Sequence, residues 1–425
     1  MSRSVNFKPF YWHSEDNEEE NEHVIYSAGL NEKSESVVVK IIGFTPYIYL
    51  ELPKTRKWTA VSVKCLFTHF QKVFRDNAPV SYKTSKKKSL YHLTPMDIMI
   101  LTFPTMKAMK TFSWKMRNSR FVVPGVGTMV AGSFKAHESN IPSELKFTTT
   151  RSLDPSGWIT VKETIQEEDI GTDIIDRKFS INDIDLVCHW TDVSKCEEDL
   201  STILLQHSYL SFDIECHSEN PNAKLPEPEN PKNEIFQISC RFGKLNSDEK
   251  QRRVLLTLCT CDTIEDVEVI ECKSEQELLI KFVDLTQEEN PDMFVGYNIM
   301  KFDWQYIIRR FELLKIYDHI AKLSRIPRQR AYKDIVKWHS KAYGTQEFEY
   351  VHSYGRMNVD LLPEIERNYK LSSYSLNTVS EYFLKEKKDD VTPKQLFMLY
   401  ALARDWGKKL ALQFFSFTEF RSDIE

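Results

Sequence analysis

Residues 208–215 read SYLSFDIE, an apolar and aromatic run that ends in two carboxylates one residue apart. The run predicts a strand buried at least on one face, and a strand points successive side chains to opposite sides. Asp213 and Glu215 then project together, while Phe212 and Ile214 face the opposite layer. Two carboxylates at that spacing repel, and one would take up a proton unless a cation offset both charges. Hard divalent ions liganded by oxygen, such as Mg²⁺, are the natural partner. A D-x-E triplet also arises by chance in a chain with 62 acidic residues, so the pair needs support from other segments.

That support comes from downstream. IFQISCRF (235–242) and RVLLTLCTC (253–261) alternate like neighbouring strands of one sheet. Residues 274–292 have amphipathic helical spacing, with Ser274 as cap and Glu277 completing a capping box. MFVGYN (293–298) reads as a short strand, and WQYIIRRFELLKI (304–316) as a helix. The order β-β-β-α-β-α predicts an α/β domain with a mixed sheet flanked by helices. Asn298, Phe302 and Asp303 fall where a strand turns into a helix, and ligand sites in such sheets lie beyond the carboxyl ends of the strands. Asp303 can therefore reach the volume in front of Asp213 and Glu215. Two-metal phosphodiester hydrolysis is the leading use of three converging carboxylates.

Upstream of about residue 190 the texture is β-rich. SVVVKIIGFTPYIYLELP (36–53) predicts two strands around a turn, and further strands are expected at 121–132 and 157–164. EDNEEENE (15–22) reads as an acidic loop and TSKKKS (84–89) as a solvated one; the basic helix at 105–121 reads as an ordinary solvated face. EEDLSTILLQH (197–207) has a helical look, and the Pro- and Asn-rich residues 220–234 predict a surface loop. The expected organisation is a β-rich domain over 1–190, an α/β domain over 191–398 and a tail over 399–425. A hydrophobic content of 41% marks a globular chain. The net charge of -5 removes any global polyanion-binding signature and leaves only local basic surfaces, of which Arg309 to Lys337 is the densest. Eight cysteines without a C-x-x-C pair lack the usual zinc-ligand spacing and read as reduced thiols. Nothing approaches the roughly 18 continuous apolar residues of a membrane span, so the expectation is a soluble, intracellular protein.

SFDIE, followed about eighty residues later by GYNIMKFD, resembles the first and second exonuclease motifs of family B DNA polymerases. The resemblance continues through residues 342–391, similar to the hairpin and helices that follow the second motif. Upstream, GFTPYIYLELP and HESNIPSELKF (137–147) resemble that family's N-terminal domain, and KKDDVTPKQLF looks most like the versions in giant DNA viruses. The resemblance implies an RNase H-like exonuclease domain preceded by a β-rich α+β domain. It implies removal of mismatched 3′ ends from single-stranded primer DNA, with a primer-template as partner. Asp213, Glu215 and Asp303 match the carboxylates that hold two Mg²⁺ or Mn²⁺ ions in that family. Asn298 and Phe302 match positions that support the site and the 3′-terminal nucleotide. By composition alone, Arg309 and Arg310 open a cationic stretch that reads equally as a DNA-phosphate contact or as a solvated helix and loop. Asp360, in NVDLL, is expected to cap or brace the helix LPEIERNY; Tyr374 and Asn377 read as packing and turn residues.

Two departures stand out. The family's third motif, Tyr-x-x-x-Asp on a helix, has as its nearest counterpart Tyr400 to Asp405, one residue too long. Residues five apart on a helix lie about 140° from one another, so Asp405 is a strained candidate for a fourth carboxylate. The palm motifs S-L-Y-P-S and Y-G-D-T-D-S do not occur. The resemblance therefore implies a separate polypeptide carrying palm, fingers and thumb, with a sliding clamp as a further partner, acting in a host nucleus or a cytoplasmic viral factory. The alternative is a non-catalytic DNA-binding and assembly half of a split polymerase.

Overall fold

A computed structural model describes residues 3–89, 92–130, 132–163, 178–341, 344–385 and 392–406. Residues 387–391 of the KKDDV stretch, and 407–425 of the expected tail, lie outside them. The chain divides into two compact units, one of Met1–Asn31, Val37–Asp173 and Asp185–Leu200, the other of Glu32–Ser36, Ile174–Ile184 and Ser201–Glu425.

The first unit comprises, in chain order, β1 (Ser4–Asn17), β2 (Glu22–Asn31), β3 (Ser36–Ile42), β4 (Tyr47–Glu51), α1 (Ala60–Phe74), β5 (Ser81–Ser89), β6 (His92–Thr102), α2 (Met106–Asn118), β7 (Phe121–Val123), β8 (Gly127–Met129), β9 (Lys135–His137), α3 (Ser143–Arg151), β10 (Ile159–Lys162), β11 (Ile184–His189) and β12 (Val193–Lys195). Six of these strands form one sheet in the order β11-β3-β2-β1-β10-β12, and four form another in the order β5-β6-β4-β9. Helices α1 and α2 pack Leu66, Phe70, Phe112 and Met116 onto Ile48, Leu50, Met99 and Leu101 of the second sheet. The acidic stretch at 15–22 is the tip of the β1–β2 hairpin rather than a free loop. TSKKKS is likewise a strand, because pairing along β6 uses backbone groups and is indifferent to the lysine side chains.

The second unit carries β13 (Ser208–Cys216), β14 (Ile235–Lys244), β15 (Arg252–Leu258), β16 (Glu268–Cys272), α4 (Glu275–Glu289), β17 (Met293–Gly296), α5 (Asp303–Leu313), β18 (Tyr332–Ser340), β19 (Gly344–His352), β20 (Met357–Asp360), α6 (Leu361–Asn368), α7 (Leu376–Phe383) and α8 (Pro393–Trp406). Its sheet runs β16-β15-β14-β13-β17-β20, mixed in direction, with β13, β17 and β20 mutually parallel. Phe212 meets Phe282 of α4 and Trp304 of α5, so one face of β13 lies in the core. No helix forms at 197–207. Leu204 is exposed there, and the segment is held by side chains instead, Gln206 N–H donating to Ser34 Oγ and Asn246 Nδ2 to Leu205 O.

Ser274 caps α4 by accepting Glu277 N–H at 3.2 Å, but the Glu277 carboxylate takes the N–H of Lys273 rather than that of the cap residue. Ser274→Ala is expected to cost about 1 kcal/mol, read as a lower urea midpoint at unchanged slope.

Candidate active site

Three parallel strands end side by side, and each brings one acidic element to the same edge. β13 carries Asp213 and Glu215 opposite Ser239 and Gln237 of β14. Both carboxylates are partly exposed, while Phe212 and Ile214, which alternate with them, are buried. β17 pairs β13 only through Tyr209 to Ser211, which leaves the far end of β13 open along that side. Asp303 fills the opening: its Oδ1 accepts the Ile214 N–H at 3.2 Å, between the two acids of the strand. Asp303 is 2% exposed. The 89 positions between Ile214 and Asp303 are thus closed by one hydrogen bond from a backbone N–H to a side-chain carboxylate.

Asp303 is placed by its neighbours. Trp304 is wholly buried against Phe212 and Phe294, and its indole N–H donates to Asn358 Oδ1 at 2.9 Å. The loop ahead of α5 is held by Asp360, which accepts the N–H groups of Asn298 (2.7 Å) and Met300 (3.0 Å). Asp360 also caps α6 through Leu362 N–H. One carboxylate at the end of β20 therefore fixes both the next helix and the loop that leads into Asp303. Asn298 adopts φ +63°, a conformation that Asn tolerates better than most residues. Its carbonyl accepts the N–H groups of Lys301 and Phe302. The Phe302 ring packs on the core edge, 5.9 Å from that of Tyr306. Asp360→Ala is expected to leave the Asn298 and Met300 amides without their acceptor. The outcome should be a loss of about 2 kcal/mol in denaturant titration, larger than at a simple cap.

The electrostatics agree with this proximity. Burial, followed by Glu215, Asp303 and Glu275, pushes the Cys216 thiol well above its ordinary range, so it stays protonated. Among the described residues no group of three His, Cys, Asp or Glu side chains is arranged to hold a metal ion. The three acids are neighbours without closing on a common point.

The basic stretch requires correction. Arg310, expected at DNA, is 1% exposed. It pairs with Glu275 at 2.6 Å and donates to the carbonyls of Pro228, Asn230 and Pro231, pinning the 220–234 loop. Arg325 is equally buried, on Asp292 and Asn290. Arg309 lies between Glu312 (3.3 Å) and Glu349 (3.1 Å), Lys333 reaches Glu312, Arg330 reaches Asp318 and Lys337 reaches Glu347. These cations are paired with carboxylates, one of them, Glu312 for Arg309, from the same helix and the rest from elsewhere in the unit.

The side chain of Asp405 lies outside the described part. Tyr400 of α8 is buried, stacks on Phe236 at 4.3 Å and donates its hydroxyl to Glu234 Oε1 at 2.6 Å. One turn on, where Tyr-x-x-x-Asp would put a carboxylate, stands Arg404, 3.8 Å from the same Glu234 oxygen. Glu275 and Glu234 carry no motif; the sequence marks only the helix that Glu275 opens, through its amphipathic spacing and the Ser274 cap.

A mixed sheet flanked by helices, with acids gathered at the carboxyl ends of its parallel strands, defines an RNase H-like exonuclease fold, here following a β-rich α+β unit in the chain. The chain belongs to DNA polymerase family B: residues 134–379 match the model of that family's exonuclease domain. It is 30% identical over 414 residues to a DNA polymerase of Invertebrate iridescent virus 3, covering 93% of this chain and 35% of the relative. It is also 30% identical over 383 residues to the DNA polymerase delta catalytic subunit of Dictyostelium discoideum, covering 85% of this chain and 33% of the relative. The chain thus spans about a third of the length of these relatives. In fold it is similar to the family B DNA polymerase of Pyrobaculum calidifontis, with a TM-score of 0.62 at 15% identity, over 99% of this chain and 44% of that one. Among the described residues no helix is long and apolar enough to cross a membrane.

Proposed function

We propose that this chain carries a 3′–5′ proofreading exonuclease of a viral-type replicative DNA polymerase and hydrolyses single-stranded primer 3′ ends. The observation that carries the reading is the Ile214 N–H to Asp303 hydrogen bond, which sets a third acid beside Asp213 and Glu215. The donor chemistry fits Mg²⁺ or Mn²⁺: three carboxylates offer hard oxygen ligands, and the adjacent thiol is buried and protonated. Asp213, Glu215 and Asp303 would hold two such ions, and the ions would offset the mutual repulsion of the acids. Bound there, they would stabilise charge on the phosphodiester and on its leaving oxygen.

The protein's own part is positional. Asp303 is held by the β13 backbone and by the anchored Trp304, so its carboxylate cannot swing away to solvent. Asn298 and Phe302 sit on the loop clamped by Asp360, in reach of a terminal nucleotide entering along the same edge. Primer-template DNA and a sliding clamp are the partners in this reading.

The test is digestion of a 5′-labelled single strand and of a 3′-mismatched primer with Mg²⁺. A ladder shortened from the 3′ end, absent in EDTA, is the expected result; an intact strand refutes it. Arg404, standing where a fourth acid would be, favours a second reading, a DNA-binding and assembly half without nuclease activity. Binding without digestion would select that reading.

A further inference from the structure

Helix α1 buries one face and leaves a second one uncovered. Val63, Leu66, Phe70 and Phe74 sit in the core of the first unit. A second stripe, Val61, Cys65, Thr68 and Lys72, recurs at spacings of four, three and four residues, which places it on one side of the helix. It extends over three turns, about 16 Å. The turn between β7 and β8 faces it at Pro124, and the two walls enclose a groove of about 520 Å³ with Lys64 and His69 on its flanks. Val61 is 73% exposed. A lone apolar residue on a surface is ordinary, but this one opens a continuous groove. Both walls are built without a ligand. Thr59 and Ser62 cap α1 reciprocally, Ser62 N–H donating to Thr59 Oγ1 at 3.2 Å and Thr59 N–H to Ser62 Oγ at 2.8 Å. Opposite, Val126 N–H closes the turn on Val123 O at 3.0 Å, and Arg56 donates to the Val126 carbonyl. Val123, Val126 and Met129 anchor that hairpin in the core.

The charge around this groove is of one sign. Residues 52–75, which hold α1, carry six lysines and arginines and no acid, and residues 105–130, which hold α2, β7 and β8, carry five and none. In a chain with a net charge of -5 that is a local concentration of cations. Several are already engaged: Lys107 on Glu18, Arg117 on Ser139 and Lys115 over the Phe74 ring. Lys64 and Lys72 are exposed and make no salt bridge with any described residue. Burial and the neighbouring Lys72 hold the His69 imidazole below its ordinary range, so at neutral pH the charge of the groove is that of its lysines. An aliphatic stripe flanked by ammonium groups fits an amphipathic helix: the helix lays its apolar side chains into the groove, and acids on its flanks meet the lysines. The His69 imidazole is the one ring in the lining, which leaves a base little to stack on and sets the groove apart from a nucleic-acid channel.

We infer that the groove between α1 and the β7–β8 turn docks an acidic amphipathic helix of a partner protein, its apolar stripe along Val61, Cys65 and Thr68 and its carboxylates on Lys64 and Lys72. The inference concerns the first unit alone, so it stands whether or not the exonuclease reading does.

The probe is a fluorescein-labelled peptide of about sixteen residues, long enough for three turns and its ends, with leucine along one helical face and glutamate elsewhere. Its anisotropy with the whole chain in EDTA should show saturable binding, weakened several-fold as salt rises from about 0.05 to about 0.5 M. Val61→Asp should weaken binding at least about tenfold, because an apolar contact is lost and an anion then faces the peptide's glutamates. An acid suits the first turn of a helix, so α1 itself should keep its stability. Lys64→Glu with Lys72→Glu should abolish binding, and Val61→Leu should keep it. The bound peptide should also shield Cys65 from alkylation, read by mass mapping. Absence of saturable binding would overturn the inference, as would equal binding of a peptide of the same composition with its leucines scattered, or unchanged affinity in Val61→Asp. Displacement of the peptide by single-stranded or duplex DNA, with DNA binding lost in the double lysine variant, would overturn it in favour of nucleic acid. A dimer in sedimentation velocity that Val61→Asp dissolves would overturn it in favour of a second copy of the chain. Far-ultraviolet circular dichroism of each variant verifies the fold, and the scattered peptide with Val61→Asp keeps the test valid if the charge-reversed variant unfolds.

Discussion

Asp213→Ala should lower the Mg²⁺-dependent release of 3′-terminal nucleotides by at least about a thousandfold, with little change in the melting curve. The asymmetry follows from where the side chain sits. Asp213 is partly exposed on the outer face of β13, and the structural weight of that strand is carried by Phe212 and Ile214 on the other. Removing its carboxylate takes away a proposed ion ligand and leaves no core cavity. If ion stabilisation contributes several kcal/mol to the barrier, at about 1.4 kcal/mol per factor of ten, three decades is the minimum loss. Asp303 offers a sharper control. Asp303→Asn keeps an oxygen able to accept the Ile214 N–H and so preserves the bracing contact, yet it removes the charge. Full folding with lost activity in both variants would place the chemistry on these acids. Activity near the unaltered level in either variant would remove the site from the mechanism, whatever the neighbouring residues do.

The features legible in the sequence are those with a local period. The alternation around Asp213 and Glu215 sets which side chains share a face, and the spacing after Trp304 sets a helix, because both follow from backbone geometry alone. The strand-to-helix crossover made Asp303 a neighbour of the pair, and the structure brings it to the Ile214 amide. Asp360 was expected to brace or cap, and it does both. What the sequence withholds is the partner of a charge. Arg309 and Arg310 look alike in a basic run, yet one is half-buried and shared between Glu312 and Glu349, and the other is sealed on Glu275, thirty-five residues away. No composition rule separates them, because burial of a cation depends on an acid supplied by tertiary packing. The same blindness worked in reverse at TSKKKS: four strands had to assemble before its lysines became one edge of a sheet face. The short strand β16, EVIEC, escaped because it is exposed at Glu268 and Glu271, half-buried at Val269 and Ile270 and buried only at Cys272, which gives almost no alternation.

Arg310→Met should destabilise the chain by about 3–5 kcal/mol, a large share of the stability of a domain. The guanidinium is buried, bound to both oxygens of Glu275 and to three loop carbonyls, so deletion strands an acid in the core along with those acceptors. Burial already holds the Glu275 carboxyl above its usual range, even with Arg310 beside it. Desolvation therefore consumes much of what the pair gains, and the intact pair is not itself a large net stabiliser. Adding Glu275→Met should recover part of the loss by removing the stranded charge. Recovery should stay incomplete, because Ile235 N–H loses its acceptor and the carbonyls of Pro228, Asn230 and Pro231 lose their donor. Urea unfolding of the single and double variants measures both steps, with Arg330→Ala, an exposed partner of Asp318, as a control expected to shift the midpoint hardly at all. A single variant as stable as the unaltered chain would mean that Arg310 is free to meet solvent or DNA after all. A double variant restored in full would mean that the loop carbonyls find water, and that the 220–234 segment is not pinned by this side chain.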